Sequence, residues 1–334
     1  MISVYIISLK DSKRRLDTEK LVLESNEKFR GHCVFHIFDA ISPKHEDFEK
    51  LVKELYDASS LLQSDWFCSS VGNGLSLPEL GCYLSHYFLW EECAKLNQPV
   101  IVLEDDVALE SNFIQALEDC LKSPFDFVRL YGDYWYFHST DFNTLFTQTA
   151  NTEKNFKYYI KSRLKNLFKS IPLSQIIIRI PTKTAELFQR KYFSKREKEA
   201  LFLEHFYLTS VYVATTAGYY LTPKGAKTFI DATKKFKIIE PVDMFMDNPT
   251  YHDVASLTYV PCALSLNGHS FNSTIQSQHQ GNKKENKKRY KIVLPTPPRK
   301  AYLKRLFSYA TNAKKRLKAF QQFYEKYAHL ESHT

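Results

Sequence analysis

A chain of 334 residues, 44 % apolar and 15 % aromatic, has material for one large domain with a substantial core, and the aromatic excess reads first as core and second as carbohydrate stacking. No stretch reaches the roughly 18–20 apolar residues that a membrane span needs, the opening MISVYIISLKDSKRR puts its basic residues after its apolar run, the reverse of a signal peptide, and Cys33, Cys68, Cys82, Cys93, Cys120 and Cys262 form no CxxC pair, which reads as free cytoplasmic thiols. The net charge of +9 is uneven: residues 283–334 carry +12 and residues 151–205 carry +8, so the remainder, at −11, is an acidic core with two basic arms.

In chain order, Ser3 to Leu9 predicts a buried first strand, and KDSKRRLDTEKLVLES a helix with Leu16, Leu21 and Leu23 among charges. HCVFHIFDAIS predicts a second strand ending near Asp39. The segment from Pro78, PELGCYLSHYFLWEECAKL, predicts a helix with Leu80, Leu84, Tyr87 and Phe88 on one face and Cys82, His86 and Trp90 on the other, hence buried nearly all round. Asn97, Gln98 and Pro99 end it, and VIVLEDDV follows as a strand. A helix over about 109–122 leads to the strand FDFVRLYG. From about 133 to 205 the pattern loosens into a basic, partly helical insertion. Periodicity is regained with FYLTSVYVATTAGYYLT and a helix opened by Thr222 and Pro223.

Beyond residue 281 come a Lys-rich linker, a proline cluster and a terminal helix over about 299–330. That helix spaces Leu303, Leu306, Phe307, Ala310, Leu317, Phe320, Tyr324 and Tyr327 among basic residues, a pattern suited to an anionic membrane surface or a second subunit. Buried β-rich runs joined by helices predict an α/β sheet with parallel strands. The catalytic domain is expected over 1–282 and an extension over 283–334.

The sharpest chemical feature is IVLEDDVAL, which delivers Glu104, Asp105 and Asp106 at the end of a buried strand. Carboxylates this concentrated repel one another unless a cation sits among them, and hard oxygen donors suit Mg²⁺ or Mn²⁺. Strand alternation points Glu104 and Asp106 to one face and Asp105 away. A solvated acidic strand end that caps the next helix is the plainer reading.

Six segments, VYIISLKDSKRR, FDAIS, PELGCYLSHYFLW, VIVLEDDVAL, GYYLTPKGAK and PVDMFM, resemble glycosyltransferase family 25 in content and order, over roughly 1–132 and 206–275. The resemblance implies a GT-A-type nucleotide-sugar fold and transfer of a hexose, galactose before glucose, from a UDP-sugar to a lipopolysaccharide acceptor. By position it makes Glu104 and Asp106 the ligands of Mn²⁺ or Mg²⁺ and the diphosphate, with Asp105 near the ribose or sugar and His269 a third metal ligand. Asp243 becomes the general base of an inverting reaction, with Asp247 the runner-up. Ser8, Asp39 and Ala40 fall at the nucleoside, Arg14 and Arg15 at the diphosphate, and Ser85 and His86 in the donor site. Lys10 and Pro78 depart from the family pattern. Nucleic acid is not expected as a partner, because the basic segments lack RNP, zinc-finger and helix-turn-helix patterns. A homodimer in peripheral contact with the inner face of the inner membrane is expected. The rival readings are a binding scaffold with a degenerate nucleotide site, and a metal-dependent phosphatase or nuclease.

Overall fold

The computed structural model describes residues 1–57, 60, 75–134, 198–271 and 314–332. The middle of the basic insertion, the Lys- and Pro-rich linker and the first half of the expected terminal helix lie outside the described residues.

The elements alternate as the apolar periodicity requires. β1 (Ile2–Ser8), α1 (Arg15–Lys28), β2 (Cys33–Asp39) and α2 (Phe48–Leu55) precede the long helix α3 (Leu77–Leu96). Then come β3 (Val100–Glu104), β4 (Val107–Leu109), α4 (Phe113–Lys122), β5 (Phe127–Arg129) and β6 (Asp133–Tyr134). β7 (Glu199–Phe202), β8 (Phe206–Thr209), β9 (Val213–Ala214) and β10 (Gly218–Leu221) follow, then α5 (Pro223–Phe236), α6 (Val242–Asp247), β11 (Leu257–Tyr259) and β12 (Leu264–Leu266). A 3₁₀ turn spans Gly268–Phe271, and a helix, α7, covers 314–327.

Eight strands form one sheet in the order β2-β1-β3-β10-β5-β11-β8-β7. β1 is parallel to both β2 and β3, but β10 runs antiparallel between β3 and β5. The sheet is therefore mixed, and the expectation of parallel strands holds for β2-β1-β3 and for the β5–β11 pair. Alternation along β3 divides the core: Val100 and Val102 face one side with α2, α3, α5 and α6, while Ile101 and Leu103 face the other with α1, α4 and α7. The result is a three-layer α/β/α arrangement. The aromatic excess is core. Trp90 lies 5.1 Å from Phe229 and 6.0 Å from Phe245, and the Tyr83 hydroxyl bonds Thr233 at 2.8 Å.

Local chemistry starts and stops α3. Ser76 accepts from the Glu79 backbone while the Glu79 side chain accepts from the Ser76 backbone, Pro78 occupies the first turn, and Asn97 closes the helix at φ 51°.

Two boundaries differ from the sequence reading. Glu199–Phe202, assigned to the insertion, is an edge strand of the sheet. In the described part of the terminal helix, Phe320 and Tyr327 are buried in this chain's own core, with Tyr327 4.9 Å from Phe125. The segment after it seals β7, since Leu203 N donates to Leu330 O at 3.0 Å and Ser332 N to Leu201 O at 2.9 Å.

α3 is locked to the turn after β2 by its smallest residue. Ser85 Oγ donates to Gly81 O at 2.8 Å and accepts from Ile41 N at 2.9 Å. A Cβ on Gly81 would stand 2.6 Å from the Ile41 carbonyl oxygen. Gly81→Ala therefore costs about 1–3 kcal/mol despite alanine's better helix propensity. The check is a urea midpoint that falls with unchanged slope; an unchanged or raised midpoint rejects this packing.

Candidate active site

Strand order reverses at β1, with β2 on one side and β3 on the other, so the carboxyl ends of β1 and β3 flank a crossover crevice, the usual ligand position of an open α/β sheet. The register pairs Ile7 with Glu104, which sets Ser8 beside the start of the acidic run. Asp105 accepts from Ser8 Oγ at 2.9 Å and from Arg14 Nη1 at 3.0 Å, and Asp106 lies 3.7 Å from the same guanidinium. Arg14 Nη2 donates to the His269 carbonyl at 2.8 Å, bringing in the 3₁₀ turn. At the mouth, Arg15 meets Asp39 at 2.7 Å, and Ala40 N donates to Ser8 O at 3.0 Å.

Strand alternation ends before Asp105. β3 ends at Glu104 and Asp105–Asp106 form a turn into β4, so Asp105 is not directed away from the cluster but into Ser8 and Arg14.

Each acid has a different environment. Burial opposes ionisation of Glu104, but the His86 imidazole, the Thr216 hydroxyl and Arg14 outweigh it and hold the carboxyl below its ordinary range. Thr216 Oγ1 donates a hydrogen bond to Glu104 Oε1. Asp106 is pushed up to about 6 by burial, then by the charges of Glu104 and Asp105, with Arg14 opposing. Its Oδ1 is buried without a hydrogen-bond partner. An orphaned carboxylate oxygen among other carboxylates fits a hard divalent cation.

His269 is placed otherwise than the sequence suggested. Its ring Nε2 lies 2.8 Å from Asp17 Oδ2 on the exposed side, so the residue joins the site through its carbonyl and not its imidazole. Ser85 is spent on the fold, leaving no donor-site role for its hydroxyl. His86 points inward: Nδ1 is 2.9 Å from the Tyr219 hydroxyl and Nε2 is 3.7 Å from Glu104 Oε1, too long for a hydrogen bond.

On α6, Asp243 Oδ2 accepts from Tyr212 OH at 2.6 Å, and the Asp243 carbonyl accepts from Arg129 Nη2 at 3.3 Å. Asp247 is a different kind of residue. Its side chain is 4 % exposed and sits between Arg129, at 3.8 Å, and Arg316 of α7, which also donates to the Asp247 carbonyl at 2.9 Å. A carboxylate walled in by two guanidiniums holds structure and has no access to an acceptor, which corrects the runner-up assignment. The Arg316 guanidinium also covers the Tyr212 ring at 5.1 Å. Backbone strain gathers nearby: Thr215, β-branched, sits at φ 80°, its carbonyl held by Arg129 Nη1.

Sequence reasoning missed Arg129, Tyr212, Thr216 and Arg316. Arg129 left a signal, a lone cation ending the apolar run FDFV; the others depend on contacts between distant segments.

Fold and site together define an α/β protein with a cation-fitting acidic rim at its sheet crossover. The chain belongs to glycosyltransferase family 25 (LPS biosynthesis protein), whose family model matches residues 1–246. It is similar to a Haemophilus influenzae protein named "Lipooligosaccharide biosynthesis protein lic2B", 31 % identical over 113 residues, covering 32 % of this chain and 35 % of that protein. It is also similar to "Inactive glycosyltransferase 25 family member 3" of Homo sapiens, 52 % identical over 52 residues, 15 % of this chain and 9 % of that one. "Probable inactive glycosyltransferase 25 family member 3" of Bos taurus is 42 % identical over 66 residues, 18 % and 11 % of the two chains. The matches thus span about a tenth of these animal relatives' length and about a third of the bacterial one's. Relatives named inactive leave the question of catalysis to the site residues themselves.

Two predictions follow from the charges. A carboxyl raised in the folded state binds its proton more tightly there than in the unfolded chain, so the cation-free protein loses stability as pH rises from about 4 through about 6. Asp106→Asn removes that loss and stabilises the cation-free protein at pH 7 by about 2 kcal/mol; denaturation in chelator at pH 5 and pH 7 reads it, and equal shifts at both reject the assignment. Arg316→Ala leaves Asp247 with half its countercharge and costs about 3 kcal/mol. Adding Asp247→Asn recovers part of the loss in a double-mutant cycle, and strict additivity rejects the coupling.

Proposed function

We propose that the chain is a metal-dependent glycosyltransferase of the GT-A type, moving a hexose from a UDP-sugar to a lipopolysaccharide oligosaccharide with inversion. Galactose is favoured and glucose comes next. The observation that carries the reading is the acidic rim at the sheet crossover, with the unpartnered Asp106 oxygen at its centre.

Glu104 and Asp106 would hold the Mn²⁺ or Mg²⁺ ion, which supplies Lewis-acid stabilisation of the departing nucleoside diphosphate. Arg14 keeps Asp105 and Asp106 in place and adds positive charge where a diphosphate would lie. Ser8, Asp39 and Ala40 form the mouth on the nucleoside side, and His86 supports Glu104 from behind. Asp243 takes the proton of the acceptor hydroxyl as that oxygen attacks the anomeric carbon from the face opposite the leaving group. Tyr212 fixes the orientation of its carboxylate. The name of the Haemophilus influenzae relative supports an acceptor of the lipooligosaccharide class. Among the described residues no helix is long and apolar enough to cross a membrane. With the apolar face of α7 used internally, contact with an anionic membrane rests on basic positions such as Lys314 and Lys318.

The test is Mn²⁺-dependent UDP release from a UDP-sugar panel with and without oligosaccharide acceptor. Asp243→Asn lowers turnover by a factor on the order of 10² or more with donor affinity little changed, and Asp106→Ala abolishes both transfer and metal-dependent UDP binding. Normal turnover of either variant, or full activity in excess chelator, sinks the mechanism. Acceptor-independent hydrolysis of phosphate esters would favour the phosphatase reading instead.

A further inference from the structure

Behind the acidic rim, α3 and the end of β3 bring a thiol, an imidazole and a carboxylate together. Cys82 and His86 are four residues apart on α3 and so share a face. Cys82 Sγ, an imidazole nitrogen of His86 and a carboxylate oxygen of Glu104 all lie within 4.8 Å of one another, the set of this kind found among the described residues. His86 is wholly buried and its Nε2 has no hydrogen-bond partner, while Nε2 lies 3.7 Å from Glu104 Oε1. Its other nitrogen is occupied: Nδ1 is 2.9 Å from the Tyr219 hydroxyl, which also accepts from Trp90 Nε1 at 3.0 Å. In the tautomer whose Nδ1–H donates to Tyr219, the Nε2 lone pair is left for a metal, the outer-shell arrangement of a metal-binding histidine.

We propose that Cys82, His86 and Glu104 form a binding site for a thiophilic divalent cation, Zn²⁺ or Co²⁺, which shares Glu104 with the hard-cation position at Asp106 and differs from it in its sulfur and nitrogen donors. Sulfur, nitrogen and oxygen are the zinc donor set, and three protein ligands leave a fourth position open. Binding forms a metal–sulfur bond as the Cys82 S–H bond breaks, and the thiol proton passes to solvent.

The experiment titrates Co²⁺ into the full chain and follows thiolate-to-cobalt charge-transfer absorption in the near ultraviolet. One equivalent develops the band, with one proton released in weakly buffered solution. Cys82→Ser removes the band with unchanged circular dichroism, and His86→Gln weakens Co²⁺ binding at least 10-fold. Cys120→Ser and Asp106→Asn keep the band, so failure of the sugar-transfer mechanism at Asp106 does not affect this result. Absence of the band at saturating Co²⁺, its persistence in Cys82→Ser, or its loss in Asp106→Asn overturns the proposal.

Discussion

The site depends on one guanidinium. Arg14 stands among Asp105, Asp106 and the His269 carbonyl, and so joins the segment after β1, the end of β3 and the 3₁₀ turn. Two unit charges 4 Å apart interact by about 4 kcal/mol at the effective dielectric of a protein surface. One cation therefore restrains three adjacent carboxylates without neutralising them. The remainder appears in the structure as the raised Asp106 and its unpartnered oxygen. An excess of fixed negative charge at a buried rim suits a divalent cation and costs stability without one.

Much of this was legible in the sequence, and the reasons are local. The apolar runs around Val4 and Val102 and the all-round apolar α3 specify buried strands and a buried helix by periodicity alone. Glu104, Asp105 and Asp106 announce themselves because three adjacent acids after an apolar strand are costly without a purpose. Orientation was another matter. Period-two alternation applies while a strand lasts, and β3 stops at Glu104, so Asp105 went to Ser8 and Arg14. Which strands run antiparallel was equally hidden, since β10 is as apolar as the parallel strands beside it.

Neighbouring residues in one motif also divided their labour in a way no spacing reveals. Ser85 serves the packing of α3 against Ile41, while His86, one residue later, turns into the site. Asp243 and Asp247 share α6, yet the partly exposed Asp243 meets a tyrosine and Asp247 meets two arginines in the interior. Arg316 carried no signal at all. Its partner Asp247 lies 69 residues before it, and its segment reads as an appendage in composition.

That separation sets an order of events during synthesis. When Asp247 leaves the ribosome it has Arg129 behind it but must await Arg316, and at ordinary elongation rates the gap lasts roughly 3–14 s. Over the same interval β7 presents an open edge, because the strand-sealing backbone of 330–332 does not yet exist. The nascent domain is thus a sheet with a free margin and an under-compensated buried acid, both closed by one late segment. α7 acts as a latch, and the vulnerable species for misassociation is the chain stalled just before it.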